Sequence, residues 1–228
     1  MTPLVVLIAF LGGLLPALVW LCFWLFEDRC QPEPKRYLFF TFLAGMVGVV
    51  LVLPLEKAVI PYVEGTELLV VWAALEEIFK FGAAYVIALR SRVFDEPLDG
   101  VMYMVTAALG FSALENAFFL WTPLAQDDVL RSIVTGDLRF MGATLLHVLA
   151  STTIGIALAL SFSKSKIARI LAAISGVILA TALHTLFNFF ILGTGSGATF
   201  WIFLSLWFGI VSILLLIERV KQPALDYC

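Results

Sequence analysis

Apolar runs of about twenty residues alternate with short polar clusters along the whole chain, and about twenty apolar residues is what an α-helix needs to cross a bilayer. Seven windows fit, roughly 3–26, 37–60, 67–89, 99–121, 139–163, 168–192 and 198–218. The pattern predicts an all-α polytopic membrane protein of about seven transmembrane helices in one bundle, a single domain over residues 1–228. The first window has no basic segment ahead of it, is long for a signal-peptide core and lacks a small-x-small cleavage site, so it reads as a retained helix. Pro54 falls inside the second window and is expected to kink or end it.

Composition agrees with this pattern. The chain is 62% hydrophobic and 14% charged, with mean hydropathy +1.04, values no water-soluble domain needs for its core. A net charge of -3 without a basic cluster gives no reason to expect a nucleic-acid partner. The three cysteines, Cys22, Cys30 and Cys228, have no metal-ligand spacing, and an odd count reads as free thiols.

Basic residues set the expected orientation. Arg29, Lys35, Arg36, Arg90, Arg92, Lys164, Lys166, Arg169, Arg219 and Lys221 fall on one side, while Lys57, Arg131 and Arg139 fall on the other. Lys80 is intramembrane. The bias places the N-terminus outside and the C-terminus in the cytoplasm. Cys30 and Cys228 then face the reducing side.

Within the apolar windows sits a set of polar residues that lipid would penalise. Glu76, Glu77 and Lys80 lie in the third window, Glu115 and Asn116 in the fourth, His147 and Ser151 in the fifth, and His184 and Asn188 in the sixth. Residues three or four apart share a helical face, so Glu76 with Lys80, His147 with Ser151, and His184 with Asn188 each point one way. On the expected topology the glutamates and histidines all fall roughly 10–15 Å below the outer surface, at about 1.5 Å per residue. A single polar layer of that kind, in the outer half of the bilayer, implies one convergent cavity.

The chemistry available to such a layer is water activation. A carboxylate in a partly dry pocket becomes a usable general base, with Lys80 restraining the rise of its pKa. His184 with Asn188 is placed to hold an oxyanion. Alternatively Glu77, Glu115, His147 and His184 are candidate ligands for zinc or another divalent metal. Plainer roles exist for several of these residues: a helix-gluing ion pair for Lys80, packing for Phe111, back-bonding to its own helix for Ser151, and solvated turns for DRCQPEP at 28–34 and FDEPLDG at 94–100. Competing functions are a proton- or ion-coupled transporter and a non-catalytic immunity-type protein. No convincing internal halves of the kind many transporters carry are visible.

Four ordered motifs, Glu76-Glu77-x-x-Lys80, Phe111-x-x-x-Glu115-Asn116, His147-x-x-x-Ser151 and His184-x-x-x-Asn188, resemble the PrsW family of bacterial intramembrane proteases. EDRCQPEP, FDEPLDGVMY and HTLFNF add to the resemblance, which covers roughly residues 25–192. It extends to the wider superfamily of CAAX prenyl endopeptidases and bacteriocin-processing proteins. Those prenyl endopeptidases place an arginine one residue after the position of Lys80 and a histidine at the position of Glu115. The resemblance implies a multi-pass protease of the bacterial cytoplasmic membrane that makes a first cut in a single-span regulator such as an anti-sigma factor. It further implies that Glu76, Glu77 and His184 are essential. By the same analogy Glu76 is the first choice for general base and Glu77 the second, Glu115 or His147 assists, and His184 with Asn188 holds the oxyanion.

Overall fold

The computed structural model describes residues 3–29, 31–193 and 196–220. The expectations for Cys30, Cys228 and Lys221 therefore lie outside the described residues. Among the described residues eight α-helices follow one another: α1 Pro3–Glu27, α2 Lys35–Val59, α3 Gly65–Ala84, α4 Asp99–Ala125, α5 Val129–Leu138, α6 Thr144–Ser161, α7 Lys166–Gly193 and α8 Ser196–Val220. Two π-helical turns continue them, Tyr85–Leu89 after α3 and Arg139–Ala143 between α5 and α6. Among the described residues there is no strand.

Six of these stretches are long and apolar enough to cross a membrane, with α5, its π turn and α6 forming one continuous run over Val129–Ser161. The third expected window is not among the six, because α3 carries Glu67, Glu76, Glu77 and Lys80 within twenty residues. The stretch is nevertheless held inside the bundle, packed on α2, α4 and α7. Pro54 does not end α2, which runs through it to Val59.

α4 is the axis of the fold. Every residue from Asp99 to Ala113 is buried, and α1, α2 and α6 pack around it. Lipid tails are as apolar as leucine, so helices in a bilayer associate through close packing at small residues. The crossing of α2 and α4 shows this directly. A Cβ on Gly110 would stand 2.0 Å from the carbonyl oxygen of Phe42, and one on Gly45 would stand 2.2 Å from that of Ala107. Large apolar side chains on α1, α7 and α8, such as Leu7, Ile178 and Phe208, are instead exposed on the outside, as lipid contact requires.

This packing gives the bundle two different ends. The C-terminal ends of α2, α4 and α7, the start of α3 and the Arg139–Ala143 turn border a cavity. At the opposite end, the loops joining α1 to α2 and α3 to α4 fold over the start of α4.

Candidate active site

Helical spacing brings Glu76, Glu77 and Lys80 to one side of α3, and that side faces α4, α6 and α7. Lys80 is completely buried. An ammonium in such a place must use all three of its hydrogens. It donates to Glu77 Oε1 at 2.7 Å, to Glu76 Oε2 at 3.3 Å and to His147 Nδ1 at 2.7 Å. Its Nζ also stands 4.6 Å above the ring of Phe111. Phe111 therefore does more than fill space, since its π face solvates the cation.

The bond from Lys80 fixes the state of His147. Nδ1 has to accept, so the ring proton is on Nε2, which donates to Glu115 Oε2 at 2.9 Å. Glu115 also accepts from Nη2 of Arg139. Arg139 in turn donates through Nε to Asn116 Oδ1 and lies over the ring of Phe119 at 3.9 Å. Asn116 completes the clamp by donating to Thr144 Oγ1 at 2.9 Å and Ser112 Oγ at 3.2 Å. A hydrogen-bonded chain thus runs from α3 through α6 and α4 to the π turn.

The adjacent glutamates are in contrasting situations. Glu77 is wholly buried and accepts from Lys80, from His184 Nδ1 at 2.9 Å and from Ser151 Oγ at 2.8 Å. Its lone pairs are committed. Ser151 thus bonds across to α3, as a member of the polar set, and not back to its own helix. Glu76 is 8% exposed and lines the cavity, with Lys80 alone at hydrogen-bond distance among the described residues. Its Oε2 lies 3.8 Å from His147 Nδ1 and 3.9 Å from His184 Nε2.

The cavity measures about 460 Å³ and is bordered by Glu56, Glu76, Glu115, Arg139, His147, His184 and Asn188 among apolar side chains. Asn188 sits one turn beyond His184 on α7, on the same cavity wall. Two of these residues carried no site assignment from sequence. Glu56 joins the wall from α2, where the indole of Trp72 donates to its backbone oxygen at 3.2 Å. Arg139 was counted as a charge at a helix end, but the π turn carries it into the site, as π-bulges often do at functional positions.

Donor atoms of Glu76, His147 and His184 all lie within 4.8 Å of one another and could hold a metal ion. Of the four carboxylates suggested or found at the site, Glu77 faces Lys80 and Ser151, while Glu115 faces Arg139. Among the described residues, Glu56, Glu76, Glu77 and Glu115 stand against only Lys80 and Arg139 as fixed cations at the site. The imbalance leaves two negative charges to be met by protons, an imidazolium or a divalent cation.

The family described as PrsW family intramembrane metalloprotease matches residues 33–216. Protease PrsW of Geobacillus kaustophilus is 30% identical over 132 residues, covering 54% of this chain and 56% of that relative. Protease PrsW of Halalkalibacterium halodurans is 24% identical over 161 residues, 68% of each chain. Protease PrsW of Clostridioides difficile is 27% identical over 192 residues, 80% of this chain and 79% of the relative. The chain spans little more than half the length of the first of these relatives. No solved structure matches it. The family match runs through all four polar helices and the loop that precedes them, and on that ground the chain belongs to the PrsW family of intramembrane proteases.

Proposed function

We propose that this chain hydrolyses a peptide bond of a membrane-anchored protein inside the bilayer, with Glu76 taking the proton from the attacking water. The contrast between the paired glutamates carries this reading: Glu76 borders the cavity with lone pairs to spare, whereas Glu77 is saturated by three donors. The 3.9 Å between Glu76 Oε2 and His184 Nε2 is too long for a direct hydrogen bond and suits a bridging water.

In this reading Glu76 accepts one proton, the water oxygen bonds to the substrate carbonyl carbon, and the carbonyl π electrons move onto oxygen. His184 and Asn188 donate to that oxyanion. With both ring nitrogens protonated, His184 donates through Nδ1 to Glu77 and through Nε2 to the oxyanion. Collapse of the intermediate breaks the carbon–nitrogen bond, and the leaving amine takes up the proton held by Glu76. Lys80 donates to Glu76 and orients His147.

The family's description implies a metal, and the donor set here fits one: two imidazoles, one carboxylate and unneutralised negative charge. Glu76, His147 and His184 would hold it, with His147 surrendering one of its present hydrogen bonds. A metal so held supplies a Lewis acid and a water of lowered pKa.

The surplus of basic residues on one side supports an N-terminus outside, a C-terminus in the cytoplasm and residence in a bacterial cytoplasmic membrane. The cavity then lies towards the outer face, and the substrate is a single-span protein cut near its extracytoplasmic end, of the anti-sigma-factor kind. The ordered motifs also support kinship with the CAAX prenyl endopeptidases and bacteriocin-processing proteins. The test is cleavage of a purified single-span substrate by the protein in detergent, with the products mapped by mass spectrometry. Cutting within or beside the membrane span that disappears in Glu76→Gln and His184→Ala supports the proposal. Cutting that survives both changes removes it. Loss on chelation, with restoration by zinc, would assign the water activation to a metal.

A further inference from the structure

At the end of the bundle away from the cavity, two loops whose plainer reading is a pair of solvated turns bury three of their acids. Glu33 is 7% exposed, Asp28 3% and Asp99 0%. The sequence explains how: Pro32, Pro34 and Pro97 stiffen the two loops, and Asp99 opens α4, the most enclosed helix of the fold.

Asp99 draws the second loop around itself. Its Oδ2 accepts from the backbone amides of Asp95 at 2.7 Å and Glu96 at 2.9 Å. Its Oδ1, equally buried, finds no donor among the described residues while the neighbouring carboxyls of Glu33 and Glu96 are ionised. Opposite stands Glu33, which accepts from the Tyr103 hydroxyl and whose own amide donates to Asp28 Oδ2 at 3.4 Å. One oxygen each from Glu33, Glu96 and Asp99 lies within 4.8 Å of the other two. All three border an open pocket of about 580 Å³, with Arg92 at its rim.

Carboxylates held so close repel one another unless something positive lies between them. Burial, with Asp99 alongside, pushes Glu33 up to about 9 and Glu96 up to about 7. Carboxylate oxygens converging on a pocket that opens to solvent are the arrangement a divalent cation takes up. The donors are all carboxylate oxygens, which suits Mg²⁺ or Ca²⁺ and not the softer metals that imidazole or thiolate selects.

We propose that Glu33, Glu96 and Asp99 form a binding site for a hard divalent cation, separate from the active-site cavity, that ties the α1–α2 and α3–α4 loops to the start of α4. Such a cation stabilises the fold by mass action. It also anchors the helix that carries Glu115 and Asn116.

The experiment uses the full chain in detergent, stripped with EDTA, and titrates Ca²⁺ and then Mg²⁺ by calorimetry, with melting temperature read in parallel. Wild type is expected to bind one equivalent and to melt higher when saturated. Glu96→Gln, a half-buried position that leaves the Asp99 and Tyr103 bonds in place, is expected to weaken binding at least tenfold. Asp99→Asn is expected to abolish binding. His184→Ala, which breaks the donor triad of the cavity, is expected to bind as wild type does. No saturable binding by wild type would show that the acids share a proton and would overturn the proposal. Equal binding by Glu96→Gln, or loss of binding in His184→Ala, would overturn it as well.

Discussion

Lys80 Nζ stands 2.7 Å from Nδ1 of His147, a bond between α3 and α6 that leaves the imidazole only one way to hold its proton. Through it the position of one buried cation sets the donor that faces Glu115. Removing the ammonium would strand Glu77 in a dry interior, and breaking a buried pair by deleting one partner costs about 3–5 kcal/mol. Lys80→Met is therefore expected to lower the melting temperature in detergent sharply. The double variant Lys80→Met with Glu77→Gln should recover part of the loss, because the stranded charge is gone.

Arg139 and Glu115 form the far end of the same chain of bonds. Arg139→Gln keeps a donor but removes the charge, which leaves Glu115 facing His147 alone. Arg139 touches no reacting atom and acts by positioning. The variant should stay folded and shift the pH dependence of cleavage, because the glutamate beside His147 has lost its counter-charge. An unchanged pH profile would show that Arg139 only packs.

Close packing at the α2–α4 crossing makes a prediction independent of chemistry. Gly110→Ala drives a methyl to 2.0 Å from a backbone oxygen, an overlap that a rigid helix pair cannot absorb. It is expected to cost more than the roughly 1–3 kcal/mol typical of overpacking. Gly82→Ala meets nothing within 4 Å and should be neutral or stabilising by up to about 1 kcal/mol. Melting curves of the two variants check the contrast.

Stability should also depend on pH through the acid cluster at the other end. Glu33 titrates near 9 in the folded chain against an ordinary 4.5, so the folded state holds its proton more tightly than the unfolded state. The stability this group contributes is full below about pH 4.5 and is lost as pH rises through about 9. In EDTA, the melting temperature of wild type is expected to fall across that window relative to Glu33→Gln, which carries no titrating proton. Parallel curves for the two proteins would contradict this.

Much of the site was legible in the sequence because its parts are local. Glu76, Glu77 and Lys80 are within one turn of each other, and charge in an apolar helix has to converge on something. His147 and His184 announced themselves as the only histidines. Arg139 did not, since a basic residue at the edge of an apolar window usually marks an interface; only the π turn, which no periodicity reveals, carries it inward. The role of Asn116 was hidden for the same reason. The burial of the loop acids was not legible, because it depends on pairing Glu33 with Tyr103, seventy residues apart. Nothing near either residue encodes that meeting.

The most direct measurement compares cleavage by Glu76→Gln with cleavage by wild type, at matched melting temperature and on the same single-span substrate. Replacing a general base without disturbing the fold should slow the reaction by about 10²–10⁴-fold while leaving the protein as stable as before. A Glu76→Gln protein that melts normally and cuts at the wild-type rate would contradict the assignment of Glu76 to the reacting water.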